Sequence, residues 1–252
     1  MMGFSHATTG VLVGVAVAAP LAAAAGTPPT PMGLLAWALL GAGSALVPDL
    51  DHPSSTATRS QGFVTGLLSR GMRALSLAVY RRTRTPADRS DGEHRHLGHT
   101  PVFAAAVGAV IGLLCHLSWW ATLVTAWFLA FLGLRALRKV AWRGLRTALG
   151  SWPGAALGAL CVAALFLTAW DNHPPGWIVG AVVALGMIVH SLGDALTSSG
   201  VPLAWPFTVN GRRWAMLGVP RWMRFRTGTW PEWVVGAVSL TGSLAVGYAL
   251  VA

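Results

Sequence analysis

Seven apolar segments, at about 8–25, 33–47, 101–117, 119–134, 153–170, 176–195 and 232–251, divide this chain of 252 residues. A helix needs about 20 residues to cross a hydrocarbon core of ~30 Å. Several of the segments reach that length; those at 33–47, 101–117 and 119–134 are short for a full crossing. With 54% apolar residues and a mean hydropathy of +0.58, the chain carries more apolar side chain than a soluble domain of this size can bury. A membrane barrel is excluded because the sequence lacks the alternation in segments of ~10 residues that barrel strands require. The expectation is an all-α, polytopic membrane bundle of about seven spans, forming one domain over 1–252.

Charge placement orients the bundle. Of the 18 Lys and Arg residues, eight lie in the connection 52–100, five lie between Arg135 and Arg146, and five lie in the connection 197–231. The connections at 26–32, 117–119 and 171–175 carry none. The positive-inside rule then predicts a cytoplasmic N-terminus and an outer C-terminus. The net charge of +10 is accounted for by topology and anionic lipid, and calls for no nucleic acid partner. Within 52–100, Phe63, Leu67, Leu68, Met72, Leu75 and Val79 recur at helical spacing among arginines, which predicts an interfacial amphipathic helix at about 62–82. Residues 83–93 read as a polar loop. The run Ala22-Ala23-Ala24-Ala25-Gly26 resembles a leader cleavage region, but no Lys or Arg precedes it, so the segment is read as a retained span. Cys115 and Cys161, both inside apolar segments, read as core residues.

Three polar clusters close or open apolar segments: Pro48-Asp49-Leu50-Asp51-His52, His94-Arg95-His96-Leu97-Gly98-His99, and His190-Ser191-Leu192-Gly193-Asp194. The predicted topology brings all three to one membrane face, together with His6, which is expected just before the first span. The opposite face receives His116, Asp171 and His173, read as interface residues. His190 and Asp194, four residues apart, share a helix face at about 6 Å. Ionisable groups at membrane depth are costly and mark sites. Mixed imidazole and carboxylate donors suit Zn²⁺ first, with Mn²⁺ or Fe²⁺ as alternatives. The donor supply allows one or two ions.

These clusters resemble the YdjM-type family of bacterial inner-membrane proteins, described as membrane-bound metal-dependent hydrolases. The matching pieces are Ser5-His6, Pro48-Asp49-Leu50-Asp51-His52, His94-Arg95 followed by His99-Thr100, and His190-Ser191-Leu192-Gly193-Asp194, which continues through Leu196-Thr197-Ser198-Ser199-Gly200-Val201 to Trp205-Pro206-Phe207. The family pattern usually has Gly after the His-Arg pair and Thr or Ser before the second His. His96 and Gly98 stand at those positions here, which leaves His96 without a family role and reads it as a solvated neighbour. The resemblance implies metal-dependent hydrolysis.

The resulting expectation places Asp49, Asp51, His94, His99, His190 and Asp194 around the metal, with one of the two aspartates of the Asp49/Asp51 pair as the ligand. His6 and His52 serve as further ligands or general bases. Arg95 cannot ligate a cation and is expected to contact a phosphate or carboxylate oxygen of the substrate. That chemistry favours a phosphoester, and the membrane setting a lipid or lipid-linked one, with Trp205 and Phe207 walling the site against an acyl chain. The rival readings are a metal- or proton-binding transporter and a structural or stress-response membrane protein. A transporter needs polar groups through to the far side, whereas the outer halves of these segments are almost wholly Ala, Val, Leu and Gly.

Overall fold

The computed structural model describes residues 1–170 and 173–252; Asp171 lies outside them. The described residues form nine helices: α1 (Gly3–Ala24), α2 (Pro31–Ser44), α3 (Phe63–Thr83), α4 (Pro101–Leu117), α5 (Trp119–Leu137), α6 (Arg143–Gly150), α7 (Trp152–Thr168), α8 (Gly176–Ala195) and α9 (Trp230–Val251). Among the described residues the only β-pairing is isolated bridges in the connection before α9. Five helical stretches are long and apolar enough to cross a membrane, and α6 with α7, bent by 97°, makes a sixth if the pair is one span. α4, at 17 residues, is the remaining apolar helix. The bundle therefore matches the predicted architecture of about seven apolar helices.

Local chemistry sets several starts. Thr30-Pro31 and Thr100-Pro101 each place a hydroxyl cap before a proline, with Thr30 accepting from Gly33 N at 3.1 Å and Thr100 from Phe103 N at 3.2 Å. Proline has no N–H to leave unpaired at the first helical position, and the hydroxyl satisfies one of the free donors beyond it. In α1, Gly14–Ala18 is a π-helical stretch just ahead of Pro20, whose missing N–H breaks the regular ladder.

Two boundaries differ from the sequence reading. α1 begins at Gly3, so His6 does not precede the first span but lies in it, wholly buried. The segment carrying Phe4 and Ala7 packs into the bundle, and burial extends the helix beyond the uninterrupted apolar run. The region from Arg135 is not a simple loop. α5 continues to Leu137, a 3₁₀ turn spans Arg138–Val140, and α6 follows.

Helix contacts use small residues, as expected where lipid offers no hydrophobic drive for association. A Cβ on Gly108 of α4 would stand 2.6 Å from the Gly180 carbonyl of α8. Gly10 of α1 and Gly41 of α2 meet backbone to backbone in the same way. α3 is inside out by the standards of a soluble helix. Thr65, Ser69, Ser76 and Tyr80 are buried against the protein, while Phe63, Val64, Leu67, Leu68 and Leu75 are exposed. That arrangement suits a helix whose outer face meets the interfacial layer. Cys161, by contrast, is exposed on α7 rather than in the core; Cys115 is buried.

The alternating direction of the helices brings the N-terminal ends of α1, α4 and α9 and the C-terminal ends of α2, α5 and α8 to one end of the bundle. Every Lys and Arg lies on elements at or near that end.

Candidate metal centre

α2 stops at Ser44, and a 3₁₀ turn over Pro48–Asp51 follows. The tighter turn sends the two aspartates in different directions: Asp49 is partly open and Asp51 is fully buried. A second 3₁₀ turn, Leu97–His99, delivers His99 just before the Thr100 cap of α4. His190 and Asp194 project from the last two turns of α8, and His6 from the first two of α1.

The imidazoles of His99 and His190 face each other, Nε2 to Nε2, at 3.1 Å. Their other nitrogens point away from that meeting point. Nδ1 of His190 donates to the Ala45 carbonyl at 2.7 Å, and Nδ1 of His99 lies 3.3 Å from Asp51 Oδ2. Anchoring one ring nitrogen on a carbonyl or carboxylate is how proteins fix a metal-binding histidine; the His190 bond has that form, whereas His99 Nδ1 meets Asp51 at ion-pair distance without hydrogen-bond geometry. Asp49 Oδ1 lies 3.8 Å and Asp194 Oδ2 also 3.8 Å from Nε2 of His190, and Asp194 Oδ2 is 3.4 Å from Nε2 of His99. Two sets of donor atoms lie within 4.8 Å of one another: Asp49, His99 and His190, and His6, His190 and Asp194. His190 belongs to both.

His6 tests whether a cation fits. Its ring stacks on His190 with centroids 3.6 Å apart, its Nε2 is 3.3 Å from Asp194 Oδ1, and neither ring nitrogen has a hydrogen-bond partner although both are buried. A buried unsatisfied donor or acceptor costs about 1–3 kcal/mol. Ligation would remove that cost, so the donor set fits a divalent ion. Burial on its own would lower the His99 pKa; the Asp51 carboxylate, with Asp194 beside it, outweighs burial and raises the ring to about 9. Ligation through its Nε2 would therefore release a proton.

Asp51 and His94 stand one layer out from these donor sets. Asp51 accepts from Arg95 N at 2.9 Å and pairs with His94 Nδ1 at 2.7 Å, in addition to its contact with His99. His94 is half-exposed, and its ring meets that of His52 edge to face at 4.6 Å. Burial and the neighbouring His94 hold His52 below the ordinary imidazole value, so it is neutral near pH 7. Arg95 adopts a left-handed backbone, φ 56°, held by its bond to Asp51. Its guanidinium reaches Asp194 Oδ1 at 3.0 Å and the Thr197 hydroxyl at 3.0 Å. Arg95 thus braces a candidate ligand while lining the cleft in front of the centre.

His96 is not solvated. It is buried between Tyr80 and Trp214, with Nδ1 2.7 Å from the His94 carbonyl and Nε2 2.7 Å from the Ser90 hydroxyl. Burial lowers its pKa, so it is a neutral support beneath the His94–Arg95 turn. Trp205 joins this same cluster, 5.2 Å from Trp214, and Phe207 is exposed, so neither walls the donor sets. Two contributors escape motif reading, the Ala45 carbonyl and Glu232, and the Thr197 hydroxyl lies in a matched stretch without an assigned role. Buried Glu232 accepts from Gly228 N at 2.6 Å and from Met2 N, and so ties the start of α9 to that of α1. At the opposite end of the bundle, His173 lies 3.3 Å from the Thr122 hydroxyl, and His116 is exposed.

No curated protein and no solved structure gives a significant match to the chain. A family model described as YdjM inner membrane protein matches residues 1–252. With the match running over its whole length, the chain belongs to the YdjM inner membrane protein family.

Proposed function

We propose that this protein is a membrane-embedded, metal-dependent hydrolase acting on a phosphoester or lipid-linked substrate at the cytoplasmic face. The observation that supports this most is the meeting of the His99 and His190 Nε2 atoms among the carboxylates of Asp49 and Asp194, with both Nδ1 atoms directed to outer partners. His6, His99, His190, Asp49 and Asp194 would hold one or two divalent ions, zinc being suited to this mixture of nitrogen and oxygen donors. Such an ion supplies Lewis acidity and activates water for attack near neutral pH. Asp51 orients His94 and His99 from behind. His52, neutral and at the cleft, is placed to take a proton from the attacking water. Arg95 adds fixed positive charge where an anionic oxygen would approach. The cytoplasmic placement follows from the cation-bearing connections lying at the same end as the centre.

The test is metal analysis of the purified protein, followed by a panel of phosphomonoesters, phosphodiesters and phospholipids. Turnover should vanish on chelation and return with one specific metal. Metal-loaded, correctly inserted protein that hydrolyses nothing in the panel would refute the assignment.

A further inference from the structure

In front of the centre opens a cleft of about 380 Å³. Its lining includes Asp49, His52 and His94 together with Arg135 of α5 and Arg138 and Lys139 of the 3₁₀ turn that follows. Arg135 and Arg138 are half-buried. Arg135 is fixed in place, because it donates to the carbonyls of Gly150 and, at 3.3 Å, Leu149. Among the described residues, Arg73 and Arg95 pair with carboxylates, but Arg135, Arg138 and Lys139 have none within ion-pair distance. The positive-inside rule accounts for cations at this end of the bundle. It does not call for three unpaired cations lining one cleft, two of them partly withdrawn from water at a desolvation cost. Arg95 is already engaged with Asp194 and Thr197, so these cations are a second seat for negative charge. Met1, Met2 and Phe4 also line the cleft, the Met1 ammonium pairing with Asp194, and the apolar Phe4 packs 5.8 Å from Trp233, which is exposed on the outside of α9.

Resting on the hydrolase reading above, we infer that Arg135, Arg138 and Lys139 bind a second anionic group of the substrate, so that the substrate class is a diphosphate ester of an apolar chain. One phosphoryl group meets the metal centre and the other these three cations, while the chain leaves over Phe4 towards lipid. The same chemistry could serve bilayer headgroups, and the arms of the experiment separate the two sources.

The matched probes are geranyl diphosphate and geranyl monophosphate, titrated onto full-length protein in phosphatidylcholine nanodiscs. The wild type should bind the diphosphate about tenfold more tightly, the size of one charge-assisted contact. The double variant Arg138→Ala/Lys139→Ala should lose that margin and keep its monophosphate affinity, which doubles as the check on folding. Lys139 is exposed, so Lys139→Glu alone should shrink the margin without touching packing. A missing margin in the wild type, or one that persists in these variants, overturns the inference. So does a margin that disappears when phosphatidylglycerol is added to the nanodiscs, because the three cations would then be occupied by bilayer headgroups. Metal content is measured on the same samples: bound metal with no diphosphate margin defeats this inference alone, and a margin without bound metal defeats the hydrolase reading alone.

Discussion

Replacing Asp51 by Asn separates a residue that ligates from one that orients ligands. The buried carboxylate contacts His94 Nδ1 at 2.7 Å, Arg95 N at 2.9 Å and His99 Nδ1 at 3.3 Å. An amide has the same shape. Its oxygen in the Oδ2 position keeps the Arg95 and His99 contacts, and the half-exposed His94 ring has room to turn to the new NH₂ group. Lost is the negative charge that makes His99 a strong donor. Removing such an outer partner typically weakens metal binding by about 10–100-fold, or ~1.4–2.8 kcal/mol. Asp51→Ala is a worse probe, since it leaves three polar groups without this partner, buried His99 among them at about 1–3 kcal/mol, and threatens the fold first. The assay is chelator competition for zinc in nanodiscs, with stoichiometry by elemental analysis and thermal unfolding as the control. The expected result is full stoichiometry at reduced affinity with near-native unfolding. Complete loss of metal would make Asp51 a ligand; affinity within about twofold of wild type, well short of the ~10-fold minimum, would mean that it orients nothing.

Three further perturbations probe the surroundings. Gly186→Ala puts a methyl 2.9 Å from Ala45 N and closer still to Ser44 Cβ, one turn before His190; pushing α8 from α2 should cost about 1–3 kcal/mol and weaken metal binding by disturbing the His190–Ala45 bond. Arg95→Ala should keep bound metal while raising KM for an anionic substrate, since Arg95 braces Asp194 but cannot ligate; loss of metal would show that the brace is indispensable. Asp88 accepts from Thr85 N, Thr85 Oγ1, Arg213 N and Trp214 N. Burial alone would raise its pKa, and these bonds outweigh it and hold the carboxyl below the ordinary value. A depressed carboxylate stabilises above its unfolded value of about 3.9, and that contribution disappears as pH falls through the folded value. Asp88→Asn should therefore be less stable than wild type by about 1–3 kcal/mol at pH 7, with the gap closing in strong acid; an undiminished gap there would exclude the carboxylate charge as its source.

The four arms of the centre were legible because charged and imidazole groups are rare in this chain and sit at the ends of apolar runs, where topology alone decides which face they share. What periodicity could not resolve was depth. His6 lies in α1 because the residues around it are buried on several sides, a fact of packing that no single-segment pattern records. Asp49 and Asp51, two apart, looked interchangeable until the 3₁₀ turn sent one to the cleft and the other behind His94 and His99. His96 read as solvated because its partners are brought to it by tertiary packing, Tyr80 from α3 and Trp214 from the connection before α9. Arg135, Arg138 and Lys139 were accounted for by orientation alone, because only packing shows that they line one cleft.

The central claim is that His190 serves both donor sets. Its direct test is the metal content of His190→Ala against wild type, each purified in nanodiscs and shown to be folded. The expected result is one or two divalent ions per wild-type chain and none in the variant. Wild-type protein that binds no metal, or a variant that retains full stoichiometry, would contradict it.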